Sequence, residues 1–332
     1  MTLEVYRKVT EDLLLSPEIS GVTGAYSPGN YGGSRYRPTV NAGNVENKGL
    51  EFQISYNDNF SKNFSFNTSF NVSTVENKVL FVASENGFEQ GGSFGITGSF
   101  PSRMEAGLPL GYFYGYRVLG VFQSNEEVTA SAITNEHTSM GDLKFADLSG
   151  PDGTSDGVID EYDRTYLGDP IPDVTLGFNI GFNYKNIDFS TSLYASIGND
   201  MIRDYEHRDE PLTNRGAFLL DRWSLTNQES LNPKVSLVQT PSTRNFSDYF
   251  VEDASYLRIQ NIQIGYFFAQ DWVRNTGIDK LRVYATMNNL YTFTNYSGFD
   301  PSASSGNPIG AGIDKGFYPL ARTCMLGLNL KF

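Results

Sequence analysis

The sequence predicts an all-β chain that forms part of an antiparallel transmembrane β-barrel, and three observations carry that expectation. Apolar and polar residues alternate with a period of two in segment after segment, as they do in strands with one face in an apolar medium. The connections between these segments are short and long in turn, the rhythm of an outer-membrane barrel with tight turns on one rim and long loops on the other. Aromatics make up 14% of the chain, with 24 Phe and 20 Tyr against two Trp, and 33 of 332 residues are Gly. That mix favours strands over helices.

The strands follow in chain order. Leu3 to Leu15 opens with Leu3 and Val5 on one face, although Arg7 falls there too. In Leu50 to Asn57, the residues Leu50, Phe52, Ile54 and Tyr56 oppose Glu51, Gln53, Ser55 and Asn57. Next, Phe64, Phe66, Phe70 and Val72 oppose Ser65, Asn67, Ser69 and Asn71. The cleanest alternation is Val174, Leu176, Phe178, Ile180, Phe182 and Tyr184, and Ile187 to Ile197 continues it. Leu257 to Phe268 changes phase between Ile259 and Ile262, which predicts a bulge. Leu281 to Asn288 and Leu326 to Phe332 complete eight spanning strands.

Tight turns are expected at 58–62 and 185–186, and long extracellular loops at about 16–47, 77–172, 199–252 and 293–317. Eight strands then place every long loop on one side and the carboxyl terminus on the other. Counting Tyr112 to Phe122 as a ninth spanning strand breaks this parity, so that stretch is assigned to a loop or to the barrel interior. The alternative is a soluble or surface-exposed β-rich binding module with a structural calcium loop, because a half-buried soluble sheet alternates in the same way.

Several function classes are excluded. A net charge of -13 argues against nucleic acid as a partner. A single cysteine, Cys324, leaves neither a disulfide framework nor a cysteine zinc site. No apolar run approaches the length of a membrane helix. Asp204, Glu206, Asp209 and Glu210 cluster, but they are mixed with Arg203, Arg208 and Arg215 in a polar loop. A salt-bridged surface is expected there rather than a catalytic carboxylate pair, and the chain is expected not to be an enzyme.

Five blocks stand out along the chain: Asn47 to Phe52, Gly111 to Tyr116, Asp163 to Asp173, Ala254 to Asn261 and Asn288 to Pro301. In sequence and in order they resemble the SusC/RagA family of TonB-linked outer-membrane transporters of Bacteroidetes. The resemblance covers the carboxyl-terminal third of such a transporter and implies a 22-stranded barrel with a plug domain and TonB box outside this chain. Met1, with no signal-peptide core after it, is then expected to be an internal start, a split gene or an incomplete gene model. The resemblance also implies energised import of oligosaccharides or peptides, with a SusD-like lipoprotein, TonB, outer-membrane lipid and the barrel assembly machinery as partners. Phe332, in phase with Leu326, Leu328 and Leu330, is the expected assembly signal.

One local motif carries metal chemistry. Counted from Asp152, acidic residues stand at positions 1, 5, 9 and 12 (Asp152, Asp156, Asp160, Asp163), with Gly157 at position 6. Calcium loops use this spacing to wrap a hard cation in oxygens around a sharp turn. Thr154 and the Val158 carbonyl complete the candidate set, and Asp147 is an alternative first ligand. A structural Ca2+ is therefore expected, although Thr154 and Asp163 depart from the usual Asp or Asn and Glu. Tyr112, Tyr114, Tyr116 and Trp223 are candidate ligand contacts through ring stacking, with loop anchoring as the alternative. Tyr184, Phe268, Tyr291 and Trp272 are expected at the bilayer interface.

Overall fold

A computed structural model describes residues 1–15, 39–84, 86–95, 99–134, 137–205, 216–236, 240–268 and 277–332. The amino-terminal strands are β1 (Thr2–Leu15), β2 (Val40–Ser61), β3 (Phe64–Thr74) and β4 (Glu76–Val82). Shorter strands follow: β5 (Phe88–Gly91), β6 (Ser102–Glu105), β7 (Tyr112–Tyr116), β8 (Val118–Val121), β9 (Leu143–Phe145) and β10 (Arg164–Gly168). Helix α1 (Asn125–Ala130) lies between β8 and β9. The hairpin β11 (Val174–Tyr184) and β12 (Ile187–Ile197) leads into short β13 (Asp200–Arg203) and β14 (Val251–Asp253). The chain ends with β15 (Tyr256–Phe268), β16 (Lys280–Thr294), β17 (Ile313–Asp314) and β18 (Thr323–Lys331). Among the described residues no helix is long and apolar enough to cross a membrane.

The eight expected strands form one antiparallel sheet in chain order, β1-β2-β3-β11-β12-β15-β16-β18. This is a stretch of β-barrel wall. Its register lines up like residues across strands. One outer row runs Ile54, Phe70, Phe178, Leu193, Ile259, Tyr291, and another Phe66, Phe182, Phe189, Ile264, Ala285, Leu326. The expected phase change is a register shift between Ile259 and Asn261, and β16 answers it with Asn289 at φ 51°. Aromatic residues flank the apolar rows. Phe60, Phe64 and Tyr184 gather at the short-turn end, and Tyr291 packs on Phe293 at the other. Tyr184, Phe268 and Tyr291 thus lie at the strand ends expected of them, while Trp272 lies outside the described residues.

The start of β2 differs from expectation. The first long loop was expected to reach residue 47, yet β2 begins at Val40. Its first stretch pairs with β4 from Gly43↔Val82 to Lys48↔Glu76, so the hairpin continues beyond the apolar rows. Alternation fails there because Ala42, Val45, Val79 and Val82 are buried against other loop residues instead of facing a uniform medium. Arg7 also lies beyond the apolar rows, paired with Glu46, which removes the phase conflict in β1.

Among the described residues no core lies beneath the outer face of the wall: Leu326 is 85% exposed, Leu328 65% and Phe293 53%. In water a contiguous apolar face of this extent would be a liability, whereas lipid covers it. The cores lie in the long connections. Phe94, Phe113, Ile202, Phe246, Phe250 and Ile313 form one cluster, and Tyr116, Val121, Leu143, Phe145, Ile159 and Trp223 a second. Small sheets β10-β7-β6-β5, β14-β13-β17 and β8-β9 bind these connections into a packed layer. Residues Tyr112 to Phe122 fall in this layer and take no part in the wall.

Phe178→Arg, on the outer face, is expected to destabilise the assembled chain by about 2–4 kcal/mol. Asn179→Arg, one residue on and facing inward, should cost much less. Urea unfolding in detergent compares the two, and equal costs would refute the assignment of faces.

Candidate functional site

The inner face of the wall and the loop layer joined to it carry varied polar chemistry. Two central inner rows contain no charged residue. One runs Asn57, Asn67, Gly181, Ser190, Gln263, Thr286, and the next Ser55, Ser69, Asn179, Ser192, Asn261, Asn288. Their side chains bond across strands. Asn179 donates to Ser69 Oγ at 3.2 Å and Ser192 donates to Asn179 Oδ1 at 2.7 Å. Asn261 donates to Thr286 Oγ1 and Asn288 Oδ1. Gly181 is small because Asn67 lies across it: a Cβ would sit 2.6 Å from Asn67 Oδ1. The result is a neutral amide and hydroxyl band.

Charges appear on either side of the band. On the loop side, Arg258 is buried and donates to Asp300 Oδ1 at 2.6 Å, Thr292 Oγ1 at 2.9 Å and Ser302 Oγ at 3.1 Å. Asp300 Oδ2 also accepts the Leu320 amide at 3.0 Å, so this pair ties the loop after β16 to the wall. On the short-turn side, Arg282 holds Asp188 through Nε and Nη2 at 2.9 and 2.5 Å. Neither pair stands out in the sequence. The available signal was a lone Arg on the polar side of each alternating segment, with a lone Asp elsewhere on the chain.

Where β12 passes into β13, four carboxylates approach one another. Burial, then the neighbouring carboxylates of Asp169, Asp253 and Asp173, push Asp200 up to about 6. The Asp200 amide donates to the Asp169 carbonyl at 2.8 Å, and Tyr166 donates its hydroxyl to Asp169 Oδ2 at 2.5 Å. Burial and the Asp169 carboxylate in turn push the Tyr166 phenol up.

The acidic turn folds differently from a calcium loop. Gly157 does supply the sharp bend, at φ 85°. Asp163 is fully buried, however: Oδ1 accepts the amides of Leu148 and Ser149 at 2.6 and 3.1 Å, and Oδ2 accepts the Asp160 amide at 2.8 Å. Asp160 in turn caps the 3₁₀ turn Glu161–Asp163 by accepting the Tyr162 amide at 2.9 Å. Asp156 accepts the Val158 amide at 3.0 Å, and Asp147 accepts that of Gly157 at 2.8 Å. The Ser155 hydroxyl and the nearby amides hold Asp147 below its usual range. Asp152 and Thr154 are exposed. Among the described residues no three acidic, His or Cys side chains gather around a point that could hold a metal ion. The twelve-residue set does not converge, because three of its carboxylates, Asp156, Asp160 and Asp163, serve the backbone.

The candidate aromatic contacts are used in packing. Tyr112, Tyr116 and Trp223 are buried. Tyr112 stacks on Tyr166 and donates to Glu105, Tyr116 packs on Phe145, and Trp223 donates its indole N–H to Gln123 Oε1 at 2.9 Å. Tyr114 is half-buried with the Arg103 guanidinium 3.7 Å from its ring centre. Asp204 accepts the Gly95 amide at 3.0 Å, whereas Glu206, Asp209 and Glu210 lie outside the described residues. Phe332 is exposed just past β18.

The Asp200 shift has a pH signature. An unfolded carboxylate ionises near 3.8 and this one only near 6, so its destabilising effect is absent below about 3.8 and grows as pH rises to about 6. Asp200→Asn is therefore expected to gain about 1 kcal/mol at pH 7.5, after discounting for solvent screening, and nothing at pH 3.5. Thermal unfolding across that range checks this, and a gain independent of pH would refute it.

No family model matches the chain. It is similar to TonB-dependent receptor P3 of Formosa agariphila, at 31% identity over 354 residues, covering 100% of this chain and 32% of the relative. It is also similar to TonB-dependent receptor SusC of Bacteroides thetaiotaomicron, at 30% identity, covering 99% and 30%. The chain thus spans about a third of the length of these relatives. Among solved structures, that of the RagAB peptide transporter aligns with a TM-score of 0.72 at 20% identity, over 99% of this chain and 33% of that one. That likeness shows a shared fold.

Proposed function

We propose that this chain, similar along its whole length to TonB-dependent receptors that include SusC, is the carboxyl-terminal wall segment of an outer-membrane importer barrel. The observation that carries the proposal is the two-faced register: apolar rows outside, a neutral polar band inside, and aromatics where the apolar rows end. That arrangement suits a wall between lipid and an aqueous lumen. In the proposed mechanism, a SusD-like lipoprotein delivers an oligosaccharide or peptide to the loop side, which faces outward. TonB then rearranges a plug supplied by the rest of the receptor, and the ligand passes the inner wall.

This chain's part is passive but specific. It closes a third of the barrel, hydrates the lumen with amides and hydroxyls, and holds its loops in a fixed layer. Its relatives bear the names of receptors and of a transporter rather than of enzymes.

An epitope tag in the chain, expressed within its native cell envelope, tests this reading. The tag is expected in the detergent-resistant outer-membrane fraction, to co-purify with a surface lipoprotein, and to be needed for growth on one oligosaccharide or peptide class. Recovery in the soluble fraction would defeat the proposal.

Calcium at the acidic turn is a separable proposal. It rests on Asp147 and Asp156, whose carboxylates flank the Gly157 bend by accepting the Gly157 and Val158 amides, with Asp163 left to the backbone. Calcium added after chelation should raise the melting temperature by a few degrees, and Asp147→Asn should abolish the rise. No calcium effect at millimolar concentration would sink this part alone.

A further inference from the structure

The inner face at the short-turn end carries a feature the import reading does not use. A cleft of about 450 Å³ opens there, lined by Asn183, Asp188, Phe267, Lys280, Arg282, Asn329, Leu330 and Lys331. Three of these are cationic and one is acidic, in a chain whose net charge is -13. Asp188 is already committed to Arg282. Lys280 and Lys331 face each other directly across β16 and β18, and among the described residues neither takes part in an ion pair. Like charges directly opposed across an antiparallel pair destabilise it. Asp279 and the terminal carboxylate adjoin these lysines in sequence but lie outside the cleft lining.

We propose that this cleft is a seat for an acidic polypeptide segment lying in the lumen. The chemistry favours carboxylates. The same wall already grips one in two-point fashion through Arg282, the two lysines supply unneutralised charge, and Asn183 and Asn329 offer amide donors beside them. Phe267 provides an apolar patch that suits a polypeptide rather than a bare ion. A lipid headgroup is the wrong source, because Lys280 and Lys331 share the polar face with Arg282 and Asn329, while Leu281 and Leu330 take the outer one. The inference rests on the reading of the sheet as barrel wall, which makes this face the lumen. The neutral rows beyond the cleft offer no competing charge, so an acidic segment would be held at one end of the wall only.

The test uses the assembled receptor that contains this chain, purified in detergent, with two labelled peptides, one rich in Glu and Ser, the other identical with Gln for Glu. The acidic peptide is expected to bind in a salt-sensitive manner and the Gln peptide not to bind. Lys280→Gln with Lys331→Gln should weaken binding about ten-fold, whereas Lys48→Gln, at the far end of β2, should not. Acetylation of the unmodified chain gives a second measurement independent of variant folding: the acidic peptide should protect Lys280 and Lys331. Equal binding of both peptides, or no protection, overturns the proposal. Strand content by circular dichroism in the same sample separates the two readings. If strands are present without binding, the seat fails and the wall stands. If strands are absent, both fail.

Discussion

Everything in this chain depends on one constraint: a backbone amide or carbonyl in hydrocarbon must find its partner within the protein. An unbroken antiparallel ladder meets that demand, and its register then decides the chemistry of both faces, since a slip of one residue exchanges them. The β11–β12 hairpin shows how tightly register is held. Its turn is only Lys185-Asn186, with Lys185 at φ 54°, and eleven residue pairs follow without a shift from Tyr184↔Ile187 to Val174↔Ile197. The one mid-wall irregularity is shared between strands. β15 carries one extra residue against β12 after Ile259, and β16 a further one against β15 near Asn289, and Ile259↔Tyr291 and Ile262↔Met287 both keep their apolar sides outward.

Because the wall is one sheet thick, it cannot bury an apolar core of its own, and folding energy must come from lipid outside and from the loop layer at one end. This explains why the long connections are not open coil. Trp223, Tyr116 and Phe113 bury large surfaces where water, not lipid, is the solvent, and polar residues there are satisfied locally. Asp142 is an example: fully buried, it pairs with Lys234 at 3.0 Å and accepts from Ser139 and Ser242. Asp163 plays a similar part beneath the acidic turn. A carboxylate that organises three amides is worth more to such a layer than one left open for a cation.

The wall was legible in the sequence because its two environments are uniform along each strand, so a period of two survives as a clean signal. All eight strands, the bulge after Ile259 and the exclusion of Tyr112 to Phe122 from the sheet follow from that periodicity and from connection lengths. The loop layer was not legible, for a physical reason. Its strands are two to five residues long and pair with segments far away in the chain, as when Ile202 donates its amide to Gly312. Spacing within Asp152 to Asp163 suggested a cation, yet spacing cannot tell a carboxylate turned toward a metal from one turned toward its own backbone. Aromatics such as Tyr112 and Trp223 carry the same ambiguity between stacking on a ligand and stacking on the protein.

The distribution of charge along the inner wall follows from the same constraint. An ion pair on a one-layer wall faces the lumen without a protein layer behind it, so its members must be fixed by the strands themselves. Arg258 and Arg282 meet this demand by lying flat across neighbours, Arg258 on Thr292 and Asp300, Arg282 across Gly265 to Asp188. Between them Asn, Ser, Thr and Gln satisfy one another laterally, leaving a surface whose hydrogen bonds are already made and whose field is weak. A segment or solute moving along such a band exchanges hydrogen bonds of similar strength with the wall and with water at each step. Strong contacts are confined to the two ends, where Arg258 and Asp300 fix a loop and Lys280 and Lys331 remain uncompensated.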